Sequence, residues 1–357
     1  MFVEFYRGTM SIATLTSFLE FSSDRLKEIC QEHGQSAYRA SQLRQQIFQN
    51  RAKSFEEMSN LPKEFRDKLS QRHVLFSATI EQHLISRDGT EKILLKYSDG
   101  QSVECVLMRE EKRRTVCIST QVGCAMGCVF CASGLLGVVR DLTPAEMLEQ
   151  ILQVERLLPK DEKLTNIVVM GIGEPLANLD HLLSTLETVC ASDGLGLSPR
   201  RITISTVGLP EKIRELADYG KPFNLAVSLH ATNDKLRNEI VPVNRNIGLG
   251  EILEATEYYF SRSGRRVTYE YVLLKEINDS MKHAEELANL LRGRNAHLNL
   301  IPMNDVGETG FRGSSMKHVK LFAEKLAQDG INVTTRKRKG EDIAAACGQL
   351  RLQDKLK

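Results

Sequence analysis

The stretch that constrains this chain most is residues 115–137, TVCISTQVGCAMGCVFCASGLLG, which holds four of the eight cysteines. Three of them, Cys124, Cys128 and Cys131, follow a C-x3-C-x2-C spacing. Steps of four and three residues would set three thiols on one helical face, but Gly123 and Gly127 argue against a helix. A loop that wraps its sulfurs around a metal centre fits better. Structural zinc is normally closed by four ligands. Here no histidine stands nearby, and the remaining thiol, Cys117, sits in the strand-like TVCIS. A four-iron cluster held by three cysteines leaves one iron free to take a small molecule. The plainer alternative is three small, buried, inert thiols. Their spacing and the flanking glycines disfavour it.

The rest of the composition sets bounds. At 357 residues the chain has room for one large or two moderate domains with a sizeable core. It is 41% apolar and 26% charged, which is neither a disordered nor a membrane composition. The net charge of +2 does not announce a nucleic-acid binder, so any RNA surface must come from local clustering. No run reaches the roughly 18 apolar residues of a spanning helix. The opening MFVEFYRGTMSIATL lacks the pattern of a signal peptide, and Met10 offers an alternative start. Eight cysteines in such a chain point to a reducing compartment, the cytoplasm, and to chemistry rather than disulfide scaffolding.

Taken in order, residues 1–75 read as a helical accessory unit. SSDRLKEICQEH opens with capping serines, and Leu43, Ile47 and Phe48 repeat at helical spacing. SFEEMSNLPKEFRDKLSQRH supplies two short helices broken near Pro62. The unit's basic residues, Arg39, Arg44, Arg51, Lys53, Arg66, Lys68 and Arg72, form either an ordinary solvated surface or an RNA-contacting face. Residues 76–114 alternate with period two around the turn pairs Asp88-Gly89 and Asp99-Gly100, giving a short antiparallel β extension.

From 115 to 340, strand-like runs (TVCIS, NIVVMGIG, RITISTVG, FNLAVSLHA, VTYEYVLL, HLNLIP) alternate with helical ones. A last strand, INVTTRKR, follows. Six βα units imply an α/β fold with a parallel sheet and right-handed crossovers. Six cannot close an eight-unit barrel, so the expectation is an open, partial (β/α)6 barrel with its site at the carboxyl ends of the strands. Residues 341–357 form a separate C-terminal segment.

Several strand ends carry candidate chemistry. Gly173-Glu174-Pro175 offers backbone groups and a carboxylate suited to an amino group, or is only a tight turn. A serine at a strand end, such as Ser205 or Ser228, is more often a cap or turn former, and His230 alone could be a satisfied core histidine. Near the far end, IAAACGQLR puts Cys347 among small residues just after the basic run Arg336–Lys339. Small residues permit close backbone approach, and nearby cations favour a thiolate. A buried core cysteine is the ordinary reading of Cys347 taken alone.

C-x3-C-x2-C with Phe130 before the last cysteine resembles the cluster loop of radical S-adenosylmethionine (radical SAM) enzymes. The wider text STQVGCAMGCVFCASGLLGVVRDLT resembles one branch of them, the RlmN/Cfr family of RNA adenine methyltransferases, and the likeness runs to the GEDIAAACGQL end. The resemblance implies a radical SAM barrel, one [4Fe-4S] cluster on Cys124, Cys128 and Cys131, and two SAM molecules per turnover. It implies SAM contacts at Gly173, Glu174, Ser205, Ser228, Leu229, His230 and Asn304. It makes Cys347 the methyl carrier, Cys117 its transient disulfide partner and Glu104 the proton acceptor. Without it, Glu104 would pass as a solubilising residue on an exposed hairpin, and Cys105, Cys30 and Cys190 have no role assigned.

The implied reaction is methylation of carbon 2 of an adenine. The substrates are 23S ribosomal RNA near the peptidyl transferase centre and, in many members, the adenine beside the tRNA anticodon. An adenine ring carbon is electrophilic and cannot attack the SAM methyl group, so the methyl first passes to Cys347. Hydrogen abstraction by a 5′-deoxyadenosyl radical then lets that carbon add to the ring. Glu104 removes the ring proton and Cys117 releases the product. Partners implied are RNA and an electron donor such as flavodoxin or ferredoxin, with a monomer as the default. Exposed, single-stranded RNA suits such a pocket. Lys112-Arg113-Arg114, Arg200-Arg201, Arg265-Arg266 and residues 336–339 are candidate phosphate contacts. A Cfr-like enzyme methylating carbon 8 is the alternative. Cfr-like members tend to carry Cys where this chain has Val122. A metal-containing RNA-binding module without catalysis is the other alternative, and it would leave Cys117 and Cys347 without purpose.

Overall fold

The computed structural model describes residues 15–135, 137–304 and 310–350. The alternative start at Met10 and the end of the C-terminal segment lie outside them.

Three helices build the N-terminal unit: α1 (Ser23–Glu32), α2 (Arg39–Phe48) and α3 (Lys63–Ser70). Ser22 caps α1, its hydroxyl accepting from Arg25 N at 3.2 Å. Only one helix forms where two were expected around Pro62. Phe55, Met58 and Leu61 are buried at helical spacing, but consecutive turns satisfy it (Met58 N to Phe55 O, 3.1 Å; Leu61 N to Met58 O, 2.9 Å). Proline drives the residue before it out of the helical region, and Ser59 and Asn60 favour turns.

Two of the unit's basic residues are taken up by contacts within the molecule. Arg44 is buried, forms a salt bridge with Asp193 at 2.7 Å and stacks over Phe48. Arg51 pairs with Glu155 at 3.0 Å and donates to the carbonyls of Leu158 and Pro159. Both arginines fasten the unit to the main sheet's helices.

Ten strands form that sheet: β1 (Thr79–Ile85), β2 (Glu91–Lys96), β3 (Ser102–Arg109), β4 (Arg114–Ile118), β5 (Asn166–Val169), β6 (Ile202–Thr206), β7 (Asn224–Ser228), β8 (Val267–Leu273), β9 (Ala296–Pro302) and β10 (Val333–Thr335). They lie side by side in chain order. β1 to β4 pair antiparallel, and β4 to β10 pair parallel. β4 therefore joins the hairpin extension to the βα repeat within one sheet. Gly89 and Gly100 turn the hairpins at φ +79° and +81°, as the Asp-Gly pairs predict.

The crossover helices are α4 (Pro144–Glu155), α5 (Leu179–Cys190), α6 (Pro210–Asp218), α7 (Asp234–Ile240), α8 (Leu249–Ser263), α9 (Met281–Leu291) and α10 (Met316–Gln328). Of these α7 was not foreseen in the sequence. Neither edge strand pairs with the other, so the barrel stays open as six βα units require. Residues 340–350 run back from β10 toward the first hairpin. Gly340 N donates to Asp88 Oδ2 (3.2 Å), Asp342 accepts from Ser86 and Arg87, and Lys92 Nζ donates to Ala344 O (3.2 Å). Further on, Gly348 O accepts from Ala132 N and Leu350 O from Ser133 Oγ. This C-terminal strap thus links the first hairpin to the cysteine loop. Among the described residues no helix is long and apolar enough to cross a membrane.

Candidate active site

The carboxyl ends of the parallel strands surround a cavity of about 170 Å³. After β5 come Gly173 and Glu174; β6, β7 and β8 bring Ser205, Ser228 and Glu270; Asn304 and Arg336 follow β9 and β10. His230, the three loop cysteines and Cys347 complete the wall. A second, smaller cavity of about 50 Å³ lies beside it, lined by Val106, Met108, Cys117, Met170, Lys337 and Lys339. Met170, Ile301, Asn304, Arg336 and Cys347 border both.

Glycines shape the cysteine loop. Gly123 has φ +80°, and a Cβ there would fall 2.0 Å from Gly137 O. This close approach lets Cys124 N reach Gly137 O at 2.8 Å. Burial, before the neighbouring cysteine Cys131, pushes the Cys124 thiol up to about 11, and it pushes Cys128 and Cys131 up as well. As they stand, no three His, Cys, Asp or Glu side chains among the described residues are gathered tightly enough to hold a metal ion. The donor chemistry nonetheless fits an iron–sulfur cluster. Three soft sulfurs share one loop at the cavity wall, and burial disfavours their thiolates unless a positive centre arrives.

Glu174 is buried 3% exposed, with Oε1 accepting from Leu176 N (3.1 Å) and Oε2 from Val207 N (2.8 Å). Burial pushes its pKa up, opposed by the Thr206 hydroxyl and those backbone donors, and no cationic side chain among the described residues acts on it. Gly173 before it has φ +108°, and a Cβ would lie 2.8 Å from Gln121 N.

His230 sits in the left-handed region at φ +60°. Its Nδ1 accepts from Val272 N at 3.1 Å, so in the neutral ring Nε2 carries the proton. Burial, then Arg237, lowers its pKa to about 3, keeping the ring neutral, and Phe130 of the cysteine loop meets it edge-on at 4.9 Å. Asn304 donates from Nδ2 to Cys347 O at 3.1 Å, and its buried Oδ1 has no partner among the described residues.

Residues 118–291 match the Radical SAM superfamily, and residues 16–75 match the ribosomal RNA large subunit methyltransferase N-terminal domain. A probable dual-specificity RNA methyltransferase RlmN from Rhodopirellula baltica is 55% identical over 93% of this chain and 90% of its own length. Its counterpart in Bacillus subtilis is 41% identical over 95% and 94%. The crystal structure of a radical SAM methyltransferase from Sphaerobacter thermophilus superposes with a TM-score of 0.92 at 41% identity, covering 94% of this chain and 99% of that one. The chain belongs to the RlmN family. It is a SAM-dependent enzyme, and membership of the radical SAM superfamily implies an iron–sulfur cluster.

The remaining expected residues of this RlmN-family chain divide. Cys117 shares the smaller cavity with Cys347, and burial, then Cys347, pushes its pKa up to about 12. Leu229 is not brought to the cavity. Its side chain lies in the core, its N–H donates to Glu270 O (3.0 Å) and its carbonyl accepts from Arg237 Nε (3.0 Å). Glu104 is not on an exposed hairpin. It is 1% exposed on β3, on the same side of the strand as Val106 and Met108, and its Oε1 lies 2.7 Å from Lys92 Nζ.

Three of the four expected phosphate clusters lie away from the cavity. Lys112–Arg114, Arg200-Arg201 and Arg265-Arg266 sit where β4, β6 and β8 begin, at the amino ends of the parallel strands, and Arg114 is paired with Glu162. Lys337 and Lys339 remain beside the cavity, whereas Arg336 turns inward, with Nη1 3.6 Å from Met170 Sδ and 4.0 Å from Glu270.

Glu270 and Lys92 were missed in the sequence. Glu270 carried a signal, as the one charge in the strand run VTYEYVLL, where burial leaves no room for a charge without a partner. Lys92 carried none, because it follows Glu91 at the start of EKILLK.

Proposed function

We propose that this chain methylates carbon 2 of adenine in 23S ribosomal RNA near the peptidyl transferase centre and in tRNA beside the anticodon. The methyl group travels on Cys347. What carries the reading is that Cys347 borders both cavities, beside the cysteine loop on one side and Cys117 on the other. A [4Fe-4S] cluster held by Cys124, Cys128 and Cys131 would, when bound, supply the electron that cleaves SAM and take back the one electron left on the ring once the carbon radical has added.

In the larger cavity the Glu174 carboxylate, which has no cationic partner among the described residues, takes the ammonium of SAM. The His230 Nε2 proton, the Asn304 Oδ1 acceptor and the Ser205 and Ser228 hydroxyls orient the rest of the molecule. One SAM methylates the Cys347 sulfur and a second is cleaved in each turnover. Glu104 accepts the proton leaving the adenine ring. Cys117 then attacks the Cys347 sulfur, so that an S–S bond forms and the S–CH2 bond breaks. Its electron pair leaves on the product carbon, which takes up a proton. The resulting disulfide is reduced before the next cycle. A cytoplasmic monomer fed by flavodoxin or ferredoxin fits this chemistry.

The test is anaerobic turnover of the reconstituted enzyme on unmethylated RNA with labelled SAM, followed by nucleoside mass spectrometry. The expected label is in 2-methyladenosine. 8-Methyladenosine would move the chain to the carbon-8 reaction, and unlabelled adenosine despite SAM cleavage would refute the substrate.

A further inference from the structure

Lys92 lies on β2 with only 3% of its surface exposed. Its ammonium is 2.7 Å from Glu104 Oε1 and 3.2 Å from the carbonyl of Ala344. Ala344 is a non-glycine residue at φ +50°, ending the short turn Glu341–Ile343 three residues before Cys347. One buried cation therefore holds two parts of the proposed chemistry at once, the carboxylate on the hairpin and the strap that carries the nucleophile. Burying an ammonium is costly unless it is paired and hydrogen-bonded, and removing it strands its partner. A pair of this kind is weak support for stability in general, which directs attention to placement instead.

We infer that Lys92 is a positioning residue that aims Glu104 at the ring proton and fixes it relative to the strap bearing Cys347. The inference rests on the base and methyl-carrier assignments proposed above. It adds a separable consequence. Methylation of the Cys347 sulfur precedes any need for Glu104, whereas release of the RNA follows it. Loss of Lys92 should therefore stall the enzyme late, with Cys347 already joined through its methyl carbon to RNA.

The experiment uses the full-length reconstituted enzyme, unmethylated RNA and labelled SAM. It reads three quantities: label on Cys347 by protein mass spectrometry, covalent protein–RNA adduct on a denaturing gel, and free methyladenosine. Lys92→Met, close in length and shape, should keep Cys347 methylation within about twofold of the parent. Its adduct should rise, and its free product fall, by about tenfold or more, the scale of one misplaced catalytic group. Lys92→Arg keeps the charge and should recover most of the product. Glu104→Gln should stall at the same point, and the double variant should lose little beyond either single one, because the two side chains act as a unit.

Lys92→Met turning over like the parent would overturn the inference. So would its losing Cys347 methylation together with product, since that marks a merely structural part. Glu104→Gln releasing product at the parental rate would remove the base assignment itself, and the inference with it.

Discussion

The two cavities share Met170, Ile301, Asn304, Arg336 and Cys347 but differ in the rest of their walls. The larger alone holds the Ser205 and Ser228 hydroxyls, a neutral histidine and two buried carboxylates. The smaller is walled by Val106, Met108, Met170, two thiols and the basic run after β10. Polar atoms awaiting partners suit a small charged molecule held in one pose. Apolar walls with a pair of thiols suit sulfur chemistry kept from water, and the lysines beside them suit a polyanion. On the proposed scheme, the contrast sets Cys347 between a place where it is loaded and a place where it is unloaded.

The widest break between the two halves comes from the thiols. Cys347→Ala should leave SAM cleavage intact while methylated RNA and labelled protein both fall below detection. Cys117→Ala should instead load Cys347 normally and accumulate a covalent protein–RNA adduct. Denaturing gels with labelled SAM read both at once, and free methylated RNA from either variant would defeat the scheme.

The release half should also have its own pH dependence. Burial pushes Cys117 up to about 12, so at ordinary pH it is almost wholly the neutral thiol. A group with a raised pKa gains its anion only as pH climbs toward that value. Thiolate attack should therefore speed up about tenfold per pH unit between 7 and 9. Loading of Cys347, followed separately in a single turnover, should not share that slope.

A smaller effect tests the loading half through its backbone. Gly173 adopts φ +108°, and a Cβ would meet Gln121 N at 2.8 Å. Gly173→Ala should cost about 1–3 kcal/mol of stability as backbone strain, read as a lowered Tm. It should weaken SAM binding while leaving the Cys117–Cys347 disulfide free to form on oxidation.

The order of elements was legible because periodicity and Asp-Gly turns are local. The alternation after residue 115 gave the parallel strands β4 to β10, and the three cysteines of the loop stood out by their spacing. What was not legible is direction and facing. Arg44 and Arg51 look like surface cations in a helical unit, yet partners more than a hundred residues away bury them. Arg336 heads a basic run but points inward, because it follows β10 at the carboxyl end, where Glu270 and the thiols lie. Glu104 looked exposed because its partner Lys92 sits on the neighbouring strand, a register that no local pattern specifies.

That directional logic yields the smallest and most discriminating prediction, on RNA binding. Only cations at the carboxyl ends of the parallel strands can touch the phosphates around a base held at the cavity. Lys337 and Lys339 line the smaller cavity, whereas Arg200 and Arg201 precede β6 at the opposite end of the sheet. Each single-strand phosphate contact contributes roughly 0.7 to the slope of log binding constant against log salt. Lys337→Gln with Lys339→Gln should therefore flatten that slope by about 1.4, and Arg200→Gln with Arg201→Gln should leave it unchanged. Binding isotherms of a short, unmethylated stem-loop at several salt concentrations measure both. Equal flattening by the two pairs would mean that the RNA reaches around the sheet, and that the site end alone does not hold it.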